Sequence, residues 1–543
     1  MNVAEAVGAT LARLGVGAAF GVVGSGNFHL TNALRSGGVP FVATRHENAA
    51  ATAADAFARM SERVAVVSTH QGCGLTNAVT GIGEAAKSRT PLIVLTADTP
   101  GADLLANFRI DQDALARSVG AVPERVHGGR SAVADTVRAY RTALHQRRTV
   151  VLSVPLDVQA EQVPEGAADA VPAVGPVAPV RPDGEAVTEL AELIAGASHP
   201  VFVAGRGARR AGAQIRAVAD HCGALLATSA VANGLFHDDP WSLGISGGFA
   251  SPRAEELIKG ADLIVGWGCA LNNWTMRQGK LIGPATRLAQ IDVEPGALGA
   301  HRPIDVGVIG DAGHTASDLL VELRQRFQRR TGYRANEVGP VRWSIVDYDD
   351  RSTPTAIDAR TLSRALDEML PAERIVSIDS GNFMGYPSAY LSVPDEFGFC
   401  FTQAFQSIGL GLATSIGAAL ARPDRLPVAA LGDGGFHMGI ADLETVVRLA
   451  LPMVLVVYND AAYGAEVHHF GADTDLTTVR FPDTDIAAIA TGFGATGVTV
   501  RTLADLTRVR AWLDGPRTGP LVVDAKVADD GGSWWLAEAF HGR

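Results

Sequence analysis

Gly432-Asp433-Gly434-Gly435 and Asn459, with twenty-four residues between Gly434 and Asn459, are the residues whose types and spacing most directly suggest chemistry. Glycines at a strand-to-helix turn let backbone N–H groups approach a diphosphate, and a helix start adds a favourable dipole. Asp433 is a hard carboxylate ligand and Asn459 offers a second side-chain oxygen, a pair suited to Mg²⁺ held between protein and diphosphate. Both must then reach one sheet edge. The apolar run Val428-Ala429-Ala430-Leu431 leads into the glycines, a helix-like stretch covers Gly439 to Leu449, and Met453 to Tyr458 reads as the next strand. Parallel strands joined by a helix bring their carboxyl ends to the same edge. The glycines alone would describe an ordinary tight turn; the distance to Asn459 gives them meaning.

The rest of the chain supplies elements of the same kind. Its 543 residues are enough for about three domains. Two segments interrupt the alternation of strands and helices. Val163 to Gly184 carries Pro164, Pro172, Pro176, Pro179 and Pro182 and reads as an extended linker; Arg326 to Thr355 is polar and Arg-rich without a sustained period. The expected domains are therefore 1–162, 185–325 and 356–543. Val64 to Ser68 and Leu92 to Thr96 are strand runs in the first, Pro200 to Ala204 and Leu263 to Val265 in the second, Val428 to Leu431 and Val454 to Tyr458 in the third. Strands alternating with helices predict an α/β chain of three doubly wound parallel sheets.

Composition narrows the function. The net charge of −12, with no basic block, argues against nucleic acid as a partner. Four scattered cysteines form no CxxC pair and no disulfide framework. Met1 to Leu14 mixes Glu5 and Arg13 with apolar residues, unlike a signal peptide. No run approaches the roughly eighteen apolar residues of a membrane span. A cytoplasmic protein with no membrane partner is expected.

The GDG-to-Asn spacing resembles the thiamine-diphosphate motif of the 2-oxo acid decarboxylase and acetohydroxyacid synthase family. A second stretch near the N-terminus strengthens the resemblance: Arg45-His46-Glu47 opening an alanine-rich helix, then Gly72-Cys73-Gly74-Leu75-Thr76-Asn77 and Thr80-Gly81-Ile82, are similar to the pyrimidine-binding domain of that family. An isolated Glu47 would be a helix-start glutamate favoured by the macrodipole. The resemblance instead implies that Glu47 shares a proton with the cofactor's aminopyrimidine, where burial would raise its pKa toward neutrality. The end domains then become the pyrimidine-binding and diphosphate-binding domains, the middle third matching only in general character.

Further roles follow from the resemblance. Ser380, Gly381 and Asn382 look like a second diphosphate-facing loop; Gln406 precedes Ile408, which resembles the apolar wedge between the cofactor's rings, a plain core isoleucine being the other reading. Gly432, Gly434, Gly435, Tyr463 and Gly464 complete the cofactor set, and Ala461 stands where the family supplies a main-chain carbonyl to the metal. His70, at a strand end before a glycine-rich turn, is similar in place to the active-site histidine of benzoylformate decarboxylases, and imidazole can move protons near pH 7. A structural histidine is the alternative. Ser25, Gly26, Gln71, Asn107, Ala465, Glu466, His468 and His469 are the candidate substrate-pocket residues. Gly26 offers no acid or base, and of the adjacent His468 and His469 only one can point into a single strand face.

The resemblance implies a homodimer or homotetramer with the cofactor shared between subunits, acting on a 2-oxo acid, with an aldehyde or second 2-oxo acid as acceptor in the carboligating members. An acetolactate-synthase-like carboligase or decarboxylase is expected first, an acyloin lyase resembling benzaldehyde lyase second, and a non-catalytic cofactor-binding subunit third. FAD is not expected: Gly268-Cys269-Ala270-Leu271-Asn272-Asn273 lacks the Arg-Phe-Asp-Asp pattern found near the FAD of acetohydroxyacid synthases.

Overall fold

A computed structural model describes residues 1–166, 171–335, 338–339 and 341–536. Parts of both expected interruptions and the last seven residues of the expected third domain lie outside the described residues. Three parallel six-stranded sheets carry the chain. The first uses Ala19–Gly21 (β1), Phe41–Ala43 (β2), Ala65–Thr69 (β3), Leu92–Asp98 (β4), Val122–Arg125 (β5) and Thr149–Pro155 (β6). The second uses Pro200–Ala204 (β7), Leu225–Thr228 (β8), Ser242–Ile245 (β9), Leu263–Trp267 (β10), Arg287–Asp292 (β11) and Val306–Ile309 (β12). The third uses Arg374–Ile378 (β13), Phe399–Phe401 (β14), Leu426–Gly432 (β15), Val454–Asn459 (β16), Thr496–Val500 (β17) and Leu521–Lys526 (β18).

The first and third sheets share one topology, β2-β1-β3-β4-β6-β5 and β14-β13-β15-β16-β18-β17, whereas the middle sheet runs β12-β11-β10-β7-β8-β9. Central strands such as β4 and β16 are buried along their whole length, as helices on both faces of a parallel sheet require. Each sheet has a point where the chain leaves for opposite sides: between β1 and β3, between β7 and β10, and between β13 and β15. Ligands of open α/β sheets bind beyond the strand ends at such points. The topology therefore nominates Gly24–Asn27 with His70–Gly72 in the first domain, and Asp379–Asn382 with Gly432–Gly435 in the third.

Two helices join the ends of the chain. Glu47–Ser61 is rich in alanine, the best helix former, and is capped by His46, whose Nδ1 accepts from Asn48 N–H at 3.1 Å. Its alanine face packs on the helix Gly411–Ala421 of the third domain, and one hydrophobic cluster runs through both, including Ala50, Ala53, Ala54, Leu412, Ile416 and Leu431. The approach is close: a Cβ on Gly417 would lie 2.0 Å from the Ala53 carbonyl oxygen. Arg45 adds a peripheral tie, its N–H donating to Asp442 Oδ1 at 2.9 Å and its guanidinium pairing with Glu444 at 2.7 Å; exposed pairs of this kind contribute little. Among the described residues no helix is long and apolar enough to cross a membrane.

Gly417→Val should force these two helices apart. The expected loss is about 1–3 kcal/mol of unfolding free energy, read from urea denaturation. A midpoint unchanged from wild type would show that the contact tolerates a side chain.

Candidate active site

The first-domain candidates converge at the ends of β1 and β3. Ser25 Oγ lies 3.5 Å from His70 Nε2, and His70 Nδ1 is 2.9 Å from the Gln71 carbonyl oxygen. A carbonyl only accepts, so Nδ1 carries the hydrogen and Nε2 is the working nitrogen of the neutral ring. The His70 ring packs edge-on against Phe108 at 4.8 Å. A Cβ on Gly26 would fall 1.8 Å from Gln71 Oε1, so a side chain there would displace the buried Gln71 amide. Glu47 stands at the start of its helix, Oε2 accepting from Asn77 Nδ2 at 3.1 Å. Gly74 lies between the two candidate catalytic residues, its missing Cβ 3.0 Å from His70 Cβ and 3.4 Å from Glu47 Oε1. Within one chain Glu47 is half-buried, not buried as expected. Asn107 sits on an exposed loop.

Most third-domain candidates line a cavity of about 1480 Å³; Asn459, Ala461 and His469 are not among its lining residues. Ser380, Gly381, Asn382, Gln406, Ile408, Gly432, Gly434, Gly435, Tyr463 and Gly464 all face it, as do Asp433, Ala465, Glu466 and His468. The helix after the glycine turn begins at Asp433 itself and runs to Gly439, earlier than the Gly439 start expected from sequence, because Gly432 already ends the strand. Glu466, His468 and His469 lie on the helix Gly464–Phe470 rather than on a strand; successive side chains diverge by about 100°, so His468 faces the cavity and His469 is exposed. Glu47, Ser25, Gly26, His70 and Gln71 do not line this cavity. Arg59, at the far end of the Glu47 helix, does; twelve residues of helical rise separate the two by about 18 Å.

The glycine turn is a cradle that side chains would fill. A Cβ on Gly435 would lie 2.2 Å from Asp379 Oδ2, and one on Gly434 2.6 Å from the Tyr463 ring. Asp379, fully buried at the end of β13, ties the surrounding loops together by accepting backbone N–H groups of Ser380 (2.8 Å), Gly409 (3.0 Å) and Leu410 (3.3 Å), with Gly411 also donating. Burial pushes its carboxyl up to about 6 against those bonds.

Asp433 and Asn459 are buried, and Asn459 is fixed by Nδ2 donating to Asp524 Oδ1 at 2.8 Å and Oδ1 accepting from Ala461 N–H at 3.1 Å. Ala461 takes a left-handed φ of 53°. Its carbonyl accepts from Phe481 N–H at 2.8 Å and keeps a second lone pair for a cation. Sequence reasoning passed over Asp460. Its carboxyl faces that of Asp433, and burial together with the Asp433 charge holds it well above the ordinary range; burial raises Asp433 as well. Asp460 keeps an exposed side, yet two facing carboxyls do not both ionise readily, and a divalent cation between them would relieve the conflict. The donor set fits Mg²⁺ and the cradle fits a diphosphate. Asp529 and Asp530 were also missed; beyond β18 they bring carboxylate oxygens within 4.8 Å of a His468 ring nitrogen, a tertiary proximity invisible to local spacing.

Comparison with known proteins closes the question of family. Models of the thiamine pyrophosphate enzymes match in chain order: the N-terminal TPP binding domain over residues 1–116, the central domain over 187–319 and the C-terminal TPP binding domain over 379–525. The chain belongs to the thiamine pyrophosphate enzyme family. Sulfoacetaldehyde acetyltransferase of Rhodobacter capsulatus is 27% identical over 542 residues, covering 93% of this chain and 90% of that protein. A probable 2-ketoarginine decarboxylase of Pseudomonas aeruginosa is 29% identical over 512 residues, covering 91% and 88%. The structure of a thiamine diphosphate-dependent 4-hydroxybenzoylformate decarboxylase from Rhodococcus jostii superposes with a TM-score of 0.83 at 21% identity, over 98% of this chain and all of that one, a likeness of fold.

The buried Asp379 carboxylate carries a pH prediction. Its folded-state pKa of about 6 lies above the ordinary 3.8, so between those values the folded chain binds the proton more readily than the unfolded one. Ionised Asp379 thus costs stability above about pH 6, and acid that protonates it does not unfold the chain through this group. Acid instead weakens an acceptor of four N–H groups. Between about pH 7.5 and pH 5 the amides of Gly409, Leu410 and Gly411 should lose protection, after correction for intrinsic rates, in hydrogen-exchange mass spectrometry. Constant protection across that range would refute the role.

Proposed function

We propose that this enzyme uses thiamine diphosphate and Mg²⁺ to decarboxylate a 2-oxo acid, passing the remaining acyl unit to a proton or to a carbonyl acceptor. Asp433, Asn459 and the Ala461 carbonyl would hold the cation, with Asp460 as an added carboxylate beside it. Backbone N–H groups of Gly434 and Gly435, with Ser380, Gly381, Asn382, Tyr463 and Gly464, would hold the diphosphate, and Gln406 and Ile408 would meet the rings. The bound cofactor supplies an electron sink for the carbon that loses CO₂. Glu47 holds a proton against the cofactor's pyrimidine nitrogen. His70 Nε2, kept free by the Gln71 carbonyl and backed by Ser25 Oγ, gives and takes protons at the substrate. Ala465, Glu466 and His468 form one wall of the substrate pocket.

One observation carries the reading: the two sets of residues are each assembled, yet stand apart in one chain, with Glu47 and His70 outside the cavity that holds Asp433. A second copy of the chain would bring its Glu47 and His70 over that cavity and complete the burial of Glu47. We therefore read the working unit as a homodimer, alone or paired into a tetramer. All four cysteines are free thiols, which suits a reducing cytoplasm. The His70–Ser25 pair supplies the proton relay that release of an aldehyde after decarboxylation needs.

Subunit complementation tests this. Glu47→Gln and Asp433→Ala chains should each fold and each lose turnover of 2-oxo acids, the second also losing Mg²⁺-dependent retention of thiamine diphosphate. Mixed in equal amounts and allowed to exchange subunits, they should recover up to about a quarter of wild-type CO₂ release, since half the dimers then carry one intact site of two. No recovery after verified exchange would place both residues in one chain's site. His70→Ala should keep cofactor affinity while turnover falls roughly 10²–10⁴-fold; a fall that only tracks thermal stability would make it a structural histidine.

A further inference from the structure

Residues 402–409, which carry Gln406 and Ile408, form neither helix nor strand. Ala404, Phe405 and Gln406 are exposed, and Gln406 takes a left-handed φ of 59°. Such a segment has little means of holding itself in place. Asp379 of the third domain anchors its end at Gly409, and the first domain holds its start. Glu84, fully buried on the helix Val79–Lys87, accepts Ala404 N–H on Oε1 at 3.1 Å and Phe405 N–H on Oε2 at 2.6 Å. Arg59 stands behind it, donating to Glu84 Oε1 at 2.8 Å, to Asp55 Oδ2 at 2.5 Å, to Ser88 Oγ at 2.6 Å and to the Phe401 carbonyl at 2.9 Å. The first half of the segment is therefore gripped by a donor at Phe401 and an acceptor at Ala404 and Phe405, while Asp379 holds the far end at Gly409.

Packing supports the grip. The Phe405 ring lies 2.9 Å from where a Cβ on Gly83 would be, and Lys87 Nζ sits 5.3 Å from its centroid. Burial alone would raise the Glu84 pKa; Arg59 and the Phe405 N–H outweigh it and leave the carboxyl below its ordinary range. A carboxylate is suited to this contact. Two consecutive N–H groups need two acceptor oxygens, and a glutamine would turn an NH₂ donor toward one of them.

We propose that Glu84 is a positioning residue for the cofactor site: it fixes the height of the Ala404–Ile408 turn, and through it the place of Ile408. The inference rests on Ile408 meeting the cofactor, as proposed above. Its reach extends to Glu47, because Asn48 Oδ1 accepts Gly81 N–H at 2.9 Å and so locks the Glu84 helix to the Glu47 helix. One block of the first domain thereby sets both residues.

The test compares Glu84→Gln and Glu84→Ala with Asp55→Asn, which weakens the same buried network on the far side of Arg59 without touching the turn. In the apo protein, hydrogen exchange at Ala404 and Phe405 should quicken roughly 10- to 100-fold in both Glu84 variants, the range expected for a lost charge-assisted hydrogen bond. Asp55→Asn should leave it unchanged. With thiamine diphosphate and Mg²⁺ bound, C2 hydrogen–deuterium exchange should slow by about 10²-fold in Glu84→Ala, as for an ångström-scale misplacement, and less in Glu84→Gln; Asp55→Asn should lower the melting temperature while C2 exchange per bound cofactor stays at the wild-type rate. Unchanged amide exchange in Glu84→Gln, or equal slowing of C2 exchange in Asp55→Asn, would overturn the proposal and leave the proposed function standing. A wild-type chain that binds no thiamine diphosphate, or shows no C2 exchange, would overturn both.

Discussion

The Ala53 carbonyl occupies the space that a side chain at Gly417 would need, and the rest of the architecture depends on that contact. It seats a helix from the first domain on a helix from the third with nothing larger than alanine between their backbones there. Two sheets of identical topology then share one core, and their strand ends are fixed relative to each other. The Glu84 grip on the third domain and the Arg45 ties to Asp442 and Glu444 both presuppose this seating. Cofactor geometry is set at this contact, far from any reacting atom.

Around that frame the protein holds crowded carboxyls in three ways. Asp379 is surrounded by backbone N–H groups and remains acid-sensitive near pH 6. Asp55 and Glu84 share one guanidinium, with Glu84 also satisfied by the chain it grips. Asp433 and Asp460 face each other with too little compensation. The first two arrangements organise loops. The third leaves a conflict that a bound cation would relieve, as expected of a binding centre rather than a structural one.

How legible all this was depends on the range of the interactions. The glycine turn, Asn459 and the strand runs are local signals, so the parallel α/β sheets could be read directly, whereas the cavity residues from Ser380 to Gly464 followed from the family resemblance that those signals carry. The helix boundary at Asp433 was missed because glycines conceal a helix start. The strand-like placement of His468 and His469 failed because a seven-residue helix is too short to show its period. Asp460, Glu84, Asp529 and Asp530 carried no local sign at all. Each acquires meaning only from a partner brought near by folding, and in the case of Glu84 that partner is a pair of main-chain groups, which any residue type supplies.

The shared core also decides what kind of object the chain is. The middle domain closes two hydrophobic clusters on itself and lends Ala230, Ile245 and Phe249 to a third, whereas the cluster beneath the Glu47 helix draws on both ends of the sequence. Three sheets in a row thus do not amount to three modules. The chain is a two-lobed body, split in sequence and rejoined in space, with a middle domain inserted between its halves and seated on the second by Phe249, which packs on Phe401 and Trp535. Exchanging that insert would uncover the Phe401 and Trp535 rings beneath Phe249; neither lobe could be borrowed without carrying an uncovered alanine face along with it.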